Sequence, residues 1–319
     1  MCQGGCLMMQ ITPSYYRIMA GAKSVFAQEF LEGGFIAANW NIDQDLTHDL
    51  PDDWREFNHR FIPVYLEALP DKTKISAGLA CGMLHTLSKG IKQGDIILTP
   101  RGDGHYLVGK VISDYYYVPS GELSHRRKVE WFEQTLPREM MSQELKNSSG
   151  SAGAVCNITK YAEELKTLID GKETVEHLEP DEVLEDPTAF ALEKHLEHFL
   201  VENWSKTELG ATYDIYTEEG QLVGQQYPSD TGPIDILAIS KDKKTLLVVE
   251  LKRGRASDRV VGQIQRYMGY VKDELAEADQ QVKGVIIALE DDLRIRRALS
   301  VAQNIEFYRY QLSFKLNKS

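Results

Sequence analysis

The 319-residue chain has no run approaching 18 consecutive apolar residues, so no segment is long enough to cross a bilayer as a helix. Cysteine is scarce. Cys2, Cys6, Cys81 and Cys156 show neither zinc-ligand spacing nor a Cys-x-x-Cys pair, which excludes a metal knuckle and a disulfide framework and predicts free thiols in a reducing compartment. The first residues, Met1-Cys2-Gln3-Gly4-Gly5-Cys6, lack the basic cluster and apolar core of a secretory signal, so the expected location is the cytoplasm. Positive charge is also in deficit. A formal net charge of −12 speaks against a nucleic-acid partner, because phosphate contacts are made mainly by Lys and Arg. The chain does have 42% hydrophobic and 26% charged residues, which excludes wholly disordered and fibrous classes. Its length favours two domains over one.

The distribution of charge changes the reading of its sum. Thirteen acids face three lysines between Tyr161 and Glu202, so ten of the twelve net negative charges fall there and the rest of the chain is nearly neutral. Residues 171–187 (GKETVEHLEPDEVLEDP) combine high charge with two prolines and no helical apolar face, as expected of a linker. The organisation predicted is a first domain at 1–170, an acidic linker at 171–187 and a second domain at 188–319.

In the first domain, strands are expected at Tyr15–Met19, Phe35–Trp40, Ile96–Thr99, Tyr106–Tyr117 and Val129–Phe132, with helices at Ser24–Leu31 and Lys74–Leu87. Several short strands around two helices suggest an α+β domain built on a small barrel or curved sheet. In the second, a helix carrying Phe190, Leu192, Leu196, Phe199 and Leu200 precedes a hairpin of Ile234–Ile239 and Thr245–Leu251. A helix from Arg259 to Ala278, a strand Val282–Leu289, a helix Leu293–Ala302 and a strand Ile305–Phe314 follow.

The hairpin carries the chemistry. Glu250 and Lys252 are two apart on one strand and leave the same face, while Val249 and Leu251 point to the other. With Asp235 across the hairpin, two carboxylates and an ammonium converge where the strands otherwise demand apolar packing, a costly cluster unless a ligand relieves it. A hard divalent cation would do so, since Mg²⁺ takes carboxylate and carbonyl oxygens. The plain alternative is a surface salt bridge on an edge strand. The apolar runs Ile234, Ile236, Leu237 and Leu246 to Val249 weigh against it.

These residues resemble the PD-(D/E)xK nuclease superfamily, and within it the NucS-like and Mrr-like DNA endonucleases. The resemblance spans residues 188 to about 310: the helix Leu192 to Asn203, Gly232-Pro233-Ile234-Asp235, Glu250-Leu251-Lys252-Arg253 and Gly262-Gln263-Ile264-Gln265-Arg266-Tyr267. Proline stands two places before the aspartate rather than directly before it. The resemblance implies an α/β restriction-endonuclease-like domain with a central mixed sheet flanked by helices. It further implies that Asp235, Glu250 and the Leu251 carbonyl hold Mg²⁺ or Mn²⁺, that Lys252 orients or deprotonates water, and that Gln263 and Tyr267 line the cleft. A helix carboxylate, Glu197 with Glu193 in reserve, completes the set; a solvated helix acid is the alternative for either. The activity implied is Mg²⁺-dependent hydrolysis of DNA phosphodiesters, in restriction of foreign or modified DNA. Repair or mismatch cleavage of the NucS type and a non-catalytic DNA- or nucleotide-binding role are the alternatives. A homodimer is within the expectation.

Around this constellation Lys252, Arg253, Arg255, Arg259 and Arg266 oppose only Asp258 within residues 252–267, a local excess of positive charge that suits a DNA backbone. Arg294, Arg296 and Arg297 form a second basic run, equally read as a solvated helix face.

The first domain shows no acid–base pair, P-loop or metal spacing. Arg17 to Gly21, Phe30 to Trp40, Ile91 to Asp95 and Gly109-Lys110-Val111 resemble the opening of a PUA-like, EVE-like module, which implies a pocket that receives a base. Trp40, Trp54 and Trp131 are the aromatic candidates for that pocket, with core packing as the alternative for each. His125-Arg126-Arg127-Lys128 is either a phosphate contact or an exposed basic turn.

Overall fold

The computed structural model describes residues 12–119, 121–150, 153–170, 196–218 and 220–311, and the side chain of Arg253 lies outside that description. The predicted linker and Glu193 therefore fall outside the described residues, as do Cys2 and Cys6. The chain divides into two compact units, residues 1–50 with 83–176 and residues 51–82 with 177–319. Residues 51–82 thus pack with the carboxy-terminal part of the chain, whereas the sequence reading had them inside a first domain at 1–170.

The first unit opens with β1 (Tyr15–Ile18), α1 (Ala27–Gly33) and β2 (Phe35–Ala38). In sequence it is then interrupted by α2 (Trp54–Ala68) and α3 (Lys74–His85), whose last residues, from Met83, return to it. It continues with β3 (Ile96–Pro100), β4 (His105–Val111), β5 (Tyr116–Tyr117), β6 (His125–Trp131), β7 (Leu136–Pro137), α4 (Gln143–Ser149), β8 (Val155–Asn157) and α5 (Ala162–Ile169). Its mixed sheet runs β2-β6-β4-β3-β1-β8, with β5 on β6 and β7 on β4.

Alternation along these strands feeds two apolar layers. Tyr16, Ile18, Ile97, Val111 and Val129 join Phe30 and Leu87 on one face, and Tyr15, Leu98, Tyr106, Val108 and Leu136 join Leu145 and Leu165 on the other. The single strand expected over Tyr106–Tyr117 is broken at Val111. β4 pairs with residues 129–131 of β6 and β5 with residues 125–126, so the chain bends around its partner.

The run His125 to Lys128 is not a turn. It is the first half of β6, with His125 and Arg127 buried and Lys128 exposed. The Arg127 guanidinium donates to three carbonyls, Leu87 and Ser88 at 2.6 Å each and Ser113 at 3.2 Å, and so closes the end of the wide helical turn Thr86–Gly90. His125 is hydrogen-bonded through both ring nitrogens, to the Ile42 carbonyl at 2.7 Å and the Tyr115 hydroxyl at 2.8 Å. The carbonyl only accepts, so Nε2 carries the proton.

In the second unit a helix over 196–202, α6, precedes α7 (Glu208–Thr212), β9 (Tyr213–Ile215), the small hairpin β10 (Thr217–Glu218) and β11 (Gln221–Leu222), and β12 (Gln225–Tyr227). Then come β13 (Ile234–Ser240), β14 (Thr245–Arg255), α8 (Arg259–Tyr270), β15 (Gln281–Glu290), α9 (Leu293–Val301) and β16 (Ile305–Arg309). The sheet order is β12-β13-β14-β15-β16, antiparallel across β13 and β14 and parallel from β14 to β16, with β9 on β13. Leu246 to Val249, Val285 and Ile286 are buried nearly completely. Burying each such aliphatic side chain contributes about 1.5–3 kcal/mol, so the central pair β14 and β15 is the rigid part on which a site can be held.

α8 packs on β15 where Gly284 leaves room: a Cβ there would lie 2.6 Å from Met268 Sδ and 3.0 Å from Ile264 Cδ1. The α-helical part of α8 ends at Tyr270 and a wider turn, Val271–Leu275, follows it, so the helical stretch stops three residues short of the expected Ala278.

Candidate active site

Asp235 and Glu250 face each other by register, one residue beyond the last paired positions, Ile236 and Val249. At that point the side chain of Asp235 replaces the ladder: its Oδ2 accepts the Leu251 N–H at 2.8 Å. In an extended strand a residue's N–H and C=O point to the same edge, so the Leu251 carbonyl also faces Asp235 rather than β15. Lys252 Nζ lies 3.1 Å from Glu250 Oε1; the carboxylate is 2% exposed and the lysine 29%. Val249 and Leu251 are buried in the apolar layer on the opposite face, as the alternation predicts.

Glu197, on α6, is buried and accepts Gln225 Nε2 at 2.7 Å and Gln226 Nε2 at 2.6 Å. Gln226 Nε2 also lies 3.2 Å from Asp235 Oδ1. The two glutamines were not legible as site residues, because a neutral amide carries no charge signal; the only trace is a polar pair ahead of Tyr227, a fully buried residue.

On α8, Gln263 Nε2 donates to Tyr267 Oη at 3.4 Å, which joins the two residues that a four-residue spacing puts on one helix face. Burial raises the Tyr267 phenol above its ordinary value; the bond from Gln263 opposes this, while the charges of Glu250 and Asp235 raise it further and Lys252 lowers it slightly. Gly232, at φ +123°, passes so close that a Cβ would lie 3.2 Å from Tyr267 Oη, so this position needs glycine for its backbone and for its space.

Beyond Lys252 the pairing of β14 with β15 shifts register before Arg255, a bulge that re-aims the strand next to the site. Arg255, Arg259 and Arg266 are exposed. In the second basic run, Arg296 is held by Asp291 through bonds of 2.6 and 2.9 Å, while Arg294 and Arg297 are exposed.

The three candidate tryptophans are divided between the two units. Trp131 is pinned by its Nε1, which donates to the Phe30 carbonyl at 2.8 Å, and packs with Trp40 against the same apolar layer of the first unit. Trp54 lies on α2 in the second unit, where its ring occupies the space that a Cβ on Gly82 would need. Cys81 is buried, which pushes its thiol up to about 12 and keeps it protonated, and the half-buried Cys156 donates its Sγ–H to the Ser148 carbonyl at 3.6 Å.

The donors at the hairpin suit a hard cation: two carboxylates and a backbone carbonyl, all oxygen. Among the described residues no group of three or more His, Cys, Asp or Glu side chains gathers around one point, so a cation at the hairpin would draw on Asp235, Glu250, the Leu251 carbonyl and water. Among the described residues no helix is long and apolar enough to cross a membrane.

Residues 192–314 match the family model of the endonuclease NucS C-terminal domain, and residues 16–158 match that of a domain of unknown function, DUF8426. Endonuclease NucS of Methanocaldococcus jannaschii is 31% identical over 96 residues, which are 30% of this chain and 35% of that protein. The chain thus matches about a third of the length of that curated relative. Among solved structures, an EndoMS–dsDNA complex is 14% identical, with 69% of this chain and 66% of the other covered, at a TM-score of 0.30. A repair endonuclease from Pyrococcus abyssi is 17% identical over 69% of this chain and 80% of the other, also at a TM-score of 0.30. The part of the chain that holds Asp235, Glu250 and Lys252 is therefore the part similar to the NucS endonuclease C-terminal domain.

Proposed function

We propose that the chain is a metal-dependent DNA endonuclease whose centre is Asp235, Glu250, Leu251 and Lys252. The observation that carries this reading is the bond from the Leu251 N–H to Asp235, which locks the aspartate onto the strand bearing Glu250 and Lys252 inside the segment similar to NucS. Mg²⁺ or Mn²⁺, bound by Asp235, Glu250 and the Leu251 carbonyl, would polarise the scissile phosphate and lower the pKa of water. Lys252 holds Glu250 in place and offers its remaining N–H bonds to the attacking water. Tyr267, kept protonated chiefly by its burial, accepts from Gln263, which orients it, and can donate its own O–H into the cleft. Arg253, Arg255, Arg259 and Arg266 take the phosphates on either side.

Repair of the kind named for the Pyrococcus abyssi relative fits the NucS similarity at least as well as restriction does, and nothing favours the Mrr branch. The first unit is read as a PUA-like module whose curled sheet presents a base, with Trp40 as the stacking residue. Trp131, fixed to Phe30, serves as support. Assembly as a homodimer belongs to the same reading and is checked by light scattering.

The test is cleavage of duplex DNA, plain, modified and mismatched, by the full chain. Cutting should require Mg²⁺ or Mn²⁺ and fall by about 10³-fold in Asp235→Asn, as for removal of a principal electrostatic group. Undiminished cutting in EDTA refutes the centre. Preference for mismatched over modified DNA decides for repair.

A further inference from the structure

Gln226 sits opposite Asp235 in the pairing of β12 with β13, between Gln225–Ile236 and Tyr227–Ile234. In a regular strand, neighbouring side chains leave opposite faces, yet the amides of Gln225 and Gln226 both reach Glu197. The backbone explains it: Gln226 has φ +51°, a left-handed conformation that a non-glycine residue seldom adopts inside a strand. Such a conformation persists only where its surroundings impose it. What it achieves here is that one amide nitrogen lies 2.6 Å from Glu197 Oε2 and 3.2 Å from Asp235 Oδ1. An amide NH₂ has two hydrogens, enough for both carboxylates. It is also neutral. A lysine or arginine at this place would hold the same acids but cancel the charge that attracts a cation; glutamine holds them and leaves their charge intact.

We propose that Gln226 is a positioning residue that clamps Asp235 to Glu197 and thereby sets the affinity of the carboxylate centre for a divalent cation. The inference rests on the nuclease-centre reading above. Gln226 presents Asp235 with one oxygen on an amide and the other on the Leu251 N–H, so the aspartate meets the cation already oriented.

The test is calorimetric titration of Mn²⁺ into the full chain without DNA, for the wild type, Gln226→Gly and Gln226→Met, each with a thermal melt. Glycine accepts the left-handed backbone and deletes the whole side chain; methionine keeps the length and deletes the carboxamide, donors and acceptor together. Both variants should bind Mn²⁺ about tenfold more weakly, as expected when a hydrogen bond to a charged group is lost. A purely structural role would lower the melting temperature and leave the affinity of the folded protein unchanged. That result, or Mn²⁺ affinities within twofold of the wild type, overturns the inference and leaves the nuclease reading standing. Failure of the wild type itself to bind Mn²⁺ overturns both.

Discussion

Replacing Arg127 with methionine separates two meanings of a basic run. The side chain is 3% exposed, and its guanidinium donates to the carbonyls of Leu87, Ser88 and Ser113. Methionine preserves most of the buried stem and removes every donor. Each hydrogen bond from a charged group contributes about 1.5–3 kcal/mol, but the variant also escapes the cost of desolvating a guanidinium, which already draws the Arg127 pKa downward. The balance is a loss of about 3 kcal/mol in the first unit. For a domain of this size that lowers the melting temperature by roughly 10 °C. Arg127→Lys should recover only part of the loss, because a compact ammonium cannot span three carbonyls held by a planar fork. Urea denaturation followed by near-ultraviolet circular dichroism reads the stability. DNA affinity at two salt concentrations reads the other meaning: a phosphate-binding arginine would take about 0.9 from the salt slope when removed, and a buried one takes nothing. A destabilisation below about 1 kcal/mol, or a flattened salt slope with stability intact, refutes the capping role.

Two further outcomes are expected. Reversing Arg255 and Arg259 to glutamate should weaken DNA binding across sequences and reduce the slope of log affinity against log salt by about 2, since both side chains are exposed beside the site; an unchanged slope places the DNA elsewhere. Burial lowers the His125 pKa, partly countered by its bond to Ile42 and by Asp43 and Asp45, so the folded state binds fewer protons than the unfolded one below about pH 6.5. Stability of the first unit should therefore be full above that pH and decline as pH falls through the folded pKa. In His125→Gln that part of the acid dependence should vanish from urea titrations at pH 7.5 and 5.5.

The nuclease-like hairpin was legible because its information is local. A strand is a two-residue repeat, so Glu250 and Lys252 declare their common face and Val249 and Leu251 theirs, whatever the rest of the fold does. The pairing partner Asp235 follows from the hairpin turn. α2 was missed for an equally local reason. Its signals are present: Asp53 caps the helix by accepting the Glu56 N–H at 3.0 Å, and Phe57, Phe61, Ile62 and Tyr65 form a buried stripe. Pro63, however, sits inside the helix, where proline ordinarily ends one. Its assignment to the second unit was beyond local reasoning altogether, because it depends on which surface Trp54 and Gly82 finally pack against.

Arg127 and Gln226 mark the two ways in which sequence pattern and physical role part company. In Arg127 the charge is conspicuous and misleads: four polar residues in a row look like a solvated turn, yet strand alternation buries every second one, and the carbonyls left open by the turn at Thr86–Gly90 supply what the guanidinium needs. In Gln226 the charge is missing and the role is hidden, since nothing in a pair of glutamines announces that one of them will turn left-handed within a strand. Both roles arise from backbone groups and backbone conformation rather than from side-chain type. Asp235 is the counterpart in which the two coincide: an acid predicted from its type is held by the N–H of Leu251, one strand residue beyond the point where the ladder ends. What a pattern of residue types conveys is therefore which groups are available. Which of them meet is decided where a ladder stops, a helix closes or a strand turns, and it is at such points that this chain places its carboxylates.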